Sequence, residues 1–166
     1  MPELTLQSPV GPITLTETDG HITELRWRKA SRSAETPLLR EARRQLAAYF
    51  AGTLRAFDLP LSLAGSPFQQ RVWQAMQRIP YGETRSYGEL AHETDSGARA
   101  VGYACGSNPV AIIVPCHRVL AAGRRIGGYS GGAGVETKRI LLDLEQPPAA
   151  ARRALPLVRS LAASPA

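Results

Sequence analysis

Cysteine is scarce in this sequence: there are two in 166 residues, Cys105 and Cys116, beside three histidines, His21, His92 and His117. No Cys-x-x-Cys or His-x-x-x-His pair occurs, which argues against a structural zinc site. Two isolated cysteines point to free thiols rather than a disulfide, and any thiol chemistry is expected to run without a metal. No apolar run approaches the roughly 20 residues that cross a bilayer. Residues 1–15 alternate polar and apolar with no basic start, so the expectation is a cytoplasmic protein with no membrane segment. Lysine is nearly absent as well. Lys29 and Lys138 are the only two, so arginine carries almost all the positive charge behind a net +6 and a pI of about 9.9. A basic chain is drawn to polyanions, of which nucleic acid is the commonest. A GC-rich genome would give the same arginine bias, and charge alone does not separate DNA, RNA and neither. Acids are missing from residues 147–166, which are rich in Pro, Ala and Arg and read as a flexible tail.

What is present is enough for one domain or two small packed ones. Residues 3–28 read as strands: Ile13 and Leu15 alternate with threonines, and Leu25 and Trp27 with Glu24 and Arg26, around a turn at Thr18-Asp19-Gly20. Thr36-Pro37 opens a helix whose apolar positions Leu39, Ala42, Leu46, Tyr49 and Phe50 keep helical spacing, and a short strand is expected at Phe57–Leu59. This first unit, residues 1–62, carries no chemical signature. A linker between Pro60 and Pro67 leads to residues 66–146, where the pattern turns to closely spaced helices. Ser66-Pro67-Phe68-Gln69 and Ser86-Tyr87-Gly88-Glu89 are capping boxes. The second opens a short helix that a turn at Asp95-Ser96-Gly97 joins to another, from about Ala98 to Cys105, which suggests a helix-turn-helix. That last helix is built of small residues, Ala98, Ala100, Gly102 and Ala104, with Arg99 its one long polar side chain. Such a surface suits close approach to a DNA backbone and reading of shape more than of sequence.

Asn108-Pro109 breaks the chain, and Val110–Val114 reads as a buried strand running into Pro115-Cys116-His117-Arg118-Val119. A free thiol, with a pKa near 8.5, is only a few per cent ionised at neutral pH, so a nucleophilic cysteine needs a base or positive charge beside it. Neighbours on a strand face opposite ways, so His117 reaches Cys116 only if the strand ends in a turn, or through water.

Pro115-Cys116-His117-Arg118-Val119 resembles the active-site signature of the O6-alkylguanine-DNA alkyltransferases, or methylated-DNA–protein-cysteine methyltransferases. Asn108-Pro109-Val110, Arg99-Ala100-Val101-Gly102, Ile79-Pro80-Tyr81-Gly82-Glu83 with Ser86-Tyr87, Gly128-Tyr129-Ser130-Gly131-Gly132, and Lys138 through Glu145 match the same family in order and spacing across residues 66–146. The resemblance implies an N-terminal ribonuclease-H-like α/β unit followed by a winged helix-turn-helix. It implies Cys116 as nucleophile, His117 as the base that draws the thiol proton through water, and Glu145 as the carboxylate that orients His117. Tyr87 would give its hydroxyl to the purine, and Ser130 with nearby amides would serve O6. Tyr129 and the loop glycines, Gly131 among them, would wall the pocket. Arg99 would fill the space left by a flipped nucleotide, with Ala98 and Gly102 on the same helix close to DNA, and Asn108 would brace the turn. Arg118 is left between a phosphate contact and a structural salt bridge, and Cys105 between a buried helical thiol and an oxidation partner of Cys116. The implied partner is double-stranded DNA carrying O6-alkylguanine, bound by a monomer with little sequence specificity and no cofactor. Whether O4-alkylthymine is also repaired stays open.

Two rival readings remain. One is a winged-helix protein that binds lesions without chemistry, which the presence of Cys116 opposes. The other is a Cys-His-Glu hydrolase that turns over, which leaves the helix-turn-helix and the basic charge without a purpose.

Overall fold

The computed structural model describes residues 1–146, so the tail expected at 147–166 lies outside the described residues. The chain opens with a three-stranded antiparallel sheet in the order β1 (Glu3–Leu6), β2 (Ile13–Thr18), β3 (His21–Arg26). Asp19 and Gly20 both take positive φ, 50° and 77°, the conformation that a two-residue hairpin turn with the right-handed twist of the strands requires. Leu4 pairs with Leu15 and Leu15 with Leu25, so one apolar row crosses the sheet.

Helix α1 (Pro37–Phe50) packs on that row. The Thr36 hydroxyl accepts the Leu39 amide at 3.0 Å, Pro37 occupies the first turn, and Leu39, Ala42, Leu46 and Tyr49 are buried. The threonine face is covered too: Thr14 donates to the Arg28 carbonyl at 2.6 Å, and the Ala30 amide donates to Thr5.

The strand expected at Phe57–Leu59 does not form. Pairing shifts a few residues on, where Ile22 makes a parallel bridge to Leu61, through Ile22 N–H to the Pro60 carbonyl at 2.8 Å and Ser62 N–H to the Ile22 carbonyl at 3.1 Å. Further along β3 the Leu25 amide donates to the Pro109 carbonyl at 2.9 Å, a bridge to Val110. The β3 edge of the first sheet is thus covered by the linker and by the segment that precedes Cys116.

The second unit is helical. Helices α2 (Pro67–Gln77) and α3 (Tyr87–Glu93) each begin with a reciprocal capping box, Ser66 with Gln69 and Ser86 with Glu89. Asp95, at φ 54°, turns the chain from α3 into α4 (Ala98–Gly106). Trp73, buried on α2, donates from Nε1 to the Ala104 carbonyl at 2.9 Å and so locks α2 to α4. Strand β4 (Arg85–Ser86) pairs in parallel with β5 (Val119–Leu120), tying the entry of α3 to the residues just after the cysteine. Helix α5 (Val135–Glu145) closes the unit, and one apolar core runs from Leu4 to Leu141 across both units. None of the described helices is long and apolar enough to cross a membrane.

Trp73→Phe removes the indole donor, leaving the Ala104 carbonyl only the Ser107 hydroxyl at 3.0 Å, and opens a gap where the larger buried ring packed. It should lower the unfolding free energy by about 2 kcal/mol in urea titration, with little change in m.

Candidate active site

The segment from Asn108 to Arg118 sets the geometry. Val110–Val114 is buried as expected, but it is a turn and not a strand: the Val114 amide donates to the Val110 carbonyl at 2.9 Å, and Ile112 sits at φ 74°. A β-branched residue at positive φ is strained and persists only where the surroundings fix it. Asn108 does the fixing. Its Oδ1 accepts the Val110 amide at 3.0 Å and its Nδ2 donates to the Val114 carbonyl at 2.8 Å. Cys116–Arg118 then form one 3₁₀ turn, so the strand's alternation of faces does not apply to Cys116 and His117.

Cys116 is 7% exposed and lines a cavity of about 460 Å³ together with Tyr87, Gly102, Cys105, Gly106, Gly128, Tyr129 and Ser130. Burial pushes its thiol above the ordinary range, against the opposing pull of Asn108, Lys138 and Tyr129. The resting residue is therefore a neutral thiol, which becomes a strong nucleophile only when a base removes its proton.

The next residue in the 3₁₀ turn is a histidine with a fixed tautomer. His117 is fully buried, and its Nε2–H donates to Glu145 Oε2 at 2.7 Å. That leaves Nδ1 as the lone-pair nitrogen, buried and with no hydrogen-bond partner among the described protein atoms. Burial lowers the His117 pKa, with Glu145 pulling the other way. Glu145 is 5% exposed. Burial raises its pKa, but the bonds and charges of His117 and then Arg118 outweigh that and bring it to about 2. Arg118 donates from Nε to Oε1 at 2.8 Å and from Nη2 to Oε2 at 3.1 Å, and from Nη1 to the Ile79 carbonyl at 2.7 Å. The phosphate contact weighed for Arg118 is thereby corrected: a buried guanidinium with these partners is a structural ion pair.

Tyr87 presents its ring to the cavity, and burial pushes its hydroxyl up to about 12, so it stays a donor. Tyr129 lines the same cavity beside Cys116, and Ser130 donates to the Gly106 carbonyl at 3.4 Å, which holds the loop against the end of α4. Ala98 and Arg99 are exposed in the first turn of α4, and Gly102 on the same helix reaches the cavity wall. Gly131 departs from expectation. It does not line the cavity, and a Cβ there would come within 2.5 Å of the Trp27 ring, so its missing side chain makes room for the first unit. Cys105 is a buried helical thiol 3.6 Å from the Met76 sulfur and also faces the cavity.

Three further residues belong to the site. Lys138 is fully buried and donates to the Val119 carbonyl at 2.7 Å and the Gly128 carbonyl at 3.1 Å, pinning the glycine loop to the strand after the cysteine. One of only two lysines in an arginine-rich chain was a usable signal. Trp27 stacks edge-on against Tyr129 at 6.2 Å, and the Tyr49 hydroxyl donates to Glu145 Oε2 at 2.6 Å. Both come from the first unit as members of apolar patterns, and nothing local marks them. Among the described residues no group of three or more His, Cys, Asp or Glu could hold a metal ion.

The family model for the ribonuclease-like domain of 6-O-methylguanine DNA methyltransferase matches residues 3–63, and that for its DNA-binding domain matches residues 67–147. A methylated-DNA–protein-cysteine methyltransferase of Mycobacterium bovis is 50% identical over 151 residues, covering 86% of this chain and 90% of that protein. The constitutive methylated-DNA–protein-cysteine methyltransferase of Bacillus subtilis is 43% identical over 155 residues, covering 86% and 93%. The crystal structure of Mycobacterium tuberculosis OGT in complex with DNA superposes with a TM-score of 0.80 at 49% identity, covering 88% of this chain and 93% of that one.

Glu145 is ionised in the folded protein down to about pH 2, whereas in the unfolded chain it takes a proton near its ordinary 4.5. Its contribution to stability is complete above pH 4.5 and is lost as the pH falls toward 2. In Glu145→Gln, unfolding free energies from urea titrations at pH 3 to 6 should vary less steeply with pH than in the wild type.

Proposed function

The chain belongs to the 6-O-methylguanine DNA methyltransferase family, and from that premise we propose that Cys116 is the acceptor in its repair of DNA. The protein repairs alkylated DNA by transferring the alkyl group to a cysteine. The observation that carries the assignment to Cys116 is its place in the wall of a cavity, in one 3₁₀ turn with a buried histidine whose tautomer a carboxylate fixes.

In this reading Cys116 Sγ attacks the alkyl carbon on guanine O6. The S–C bond forms, the C–O6 bond breaks, and its electron pair leaves with the purine. The thiol proton passes through a water to His117 Nδ1, and the charge on the resulting imidazolium is balanced by Glu145. The Tyr87 hydroxyl and the Ser130 region supply donors to the departing base, which picks up the balancing proton. The thioether product has no good leaving group, so each chain acts once.

A base inside a stacked duplex is out of reach of a buried thiol in a cavity wall, so the nucleotide must turn out of the helix into the cavity. Exposed Arg99 on α4 is placed to enter the space it leaves, while Ala98 and Gly102 keep the helix surface low enough for close approach. This contact reads backbone and shape, so sequence specificity is low. The same reading divides the chain at 1–62 and 66–146 and places a monomer in the cytoplasm.

The test is incubation with a duplex oligonucleotide containing one O6-methylguanine, then intact mass and peptide mapping. The expected result is one methyl group per chain on Cys116 and none in Cys116→Ser. Unchanged mass in folded, reduced protein that still binds the lesion would replace this reading with a lesion-binding protein. Release of product beyond one equivalent would replace it with a hydrolase.

A further inference from the structure

Helix α1 belongs to the unit that carries no chemical signature, yet one of its side chains ends on the carboxylate that serves His117. Tyr49 is fully buried and donates to Glu145 Oε2 at 2.6 Å, across 96 positions of sequence. The same oxygen accepts His117 Nε2–H at 2.7 Å and Arg118 Nη2–H at 3.1 Å. From this convergence we propose that Tyr49 is a positioning residue for alkyl transfer, fixing the orientation and the charge sharing of the Glu145 oxygen on which His117 depends. The proposal rests on the reading of His117 and Glu145 as the relay that takes the thiol proton.

Three donors on one oxygen compete for its lone pairs, so the strength of any one bond depends on the other two. Arg118 is tied down elsewhere, by Oε1 and by the Ile79 carbonyl. Tyr49 is the remaining contact that can hold Oε2 toward His117. Its ring cannot swing aside, because Phe50 and Phe57 each stand 5.3 Å away, centroid to centroid, and Tyr81 6.2 Å away. Burial and the Glu145 charge both raise the pKa of the phenol, so it remains a donor throughout the working pH range. A tyrosine kept only to fill the core could have satisfied its hydroxyl on any main-chain carbonyl. This one ends on the oxygen that His117 uses.

The experiment uses full-length wild type, Tyr49→Phe, Glu145→Gln and the double variant, at a temperature where circular dichroism shows all four folded. A methylated duplex is the substrate, with DNA affinity and the limiting rate of methyl transfer at saturating DNA measured separately. Tyr49→Phe should slow the limiting rate about tenfold, the effect of losing a bond to a charged acceptor, with DNA affinity unchanged. In the Glu145→Gln background the same substitution should change the rate by no more than about twofold. Wild-type rate in Tyr49→Phe would overturn the proposal, and so would an equal loss in both backgrounds, which would assign Tyr49 to stability alone. A wild type that transfers nothing would instead overturn the alkyl-transfer reading on which the proposal stands.

Discussion

A carboxylate buried in a protein interior must be paired and hydrogen-bonded, or it will not stay ionised. Glu145 meets that demand by gathering donors from three other stretches of chain: Tyr49 from α1, the Gly82 amide from the loop after α2, and His117 and Arg118 from the 3₁₀ turn, with its own helix α5 supplying the acceptor. The two units and the cysteine turn are therefore referred to one pair of oxygens. Arg118 already balances the carboxylate, so His117 need not be charged, and its desolvation keeps it neutral. A neutral imidazole with Nε2–H committed to Glu145 leaves Nδ1 as a buried lone pair, the state in which an imidazole can accept a proton.

The thiol is held in a complementary condition. Burial favours the protonated form, so Cys116 is not a standing thiolate open to any passing electrophile. For a protein that can react only once, this restraint matters as much as reactivity. It is set by the strained turn at Ile112 and the two bonds of Asn108, which present Cys116 at the cavity wall, while β5 and Lys138 anchor the chain on its far side. The first unit shares in this architecture. Trp27 backs Tyr129 and fills the space beside Gly131, and the Leu25 amide pairs with the chain just before the cysteine turn.

Features set by short-range interactions were legible in the sequence. The Asp19-Gly20 hairpin, the Thr36 cap and the capping boxes at Ser66 and Ser86 depend on residues within three or four positions, and each forms where expected. Val110–Val114 misled because a run of aliphatic and β-branched residues reads as a strand, whereas the Asn108 side chain and the bridge from Leu25 fold it into a turn. Family resemblance pointed to Glu145, whose position at a helix end otherwise suggests solvent; only the packing of α1 and the cysteine turn buries it. Tyr49 was visible merely as one more apolar position in a helical stripe. Whether its hydroxyl meets a carbonyl or a carboxylate is decided by a partner more than half the chain away.

The protonation state of His117 is the most direct test of this account, and long-range proton–nitrogen NMR on labelled protein measures it without substrate. The structure predicts a neutral ring carrying its proton on Nε2 throughout the neutral pH range, with Nδ1 reporting a free lone pair, and loss of that tautomer preference in Glu145→Gln. A His117 that is an imidazolium at neutral pH, or that carries its proton on Nδ1, would contradict the claim that Glu145 holds His117 as a neutral imidazole with Nδ1 unprotonated.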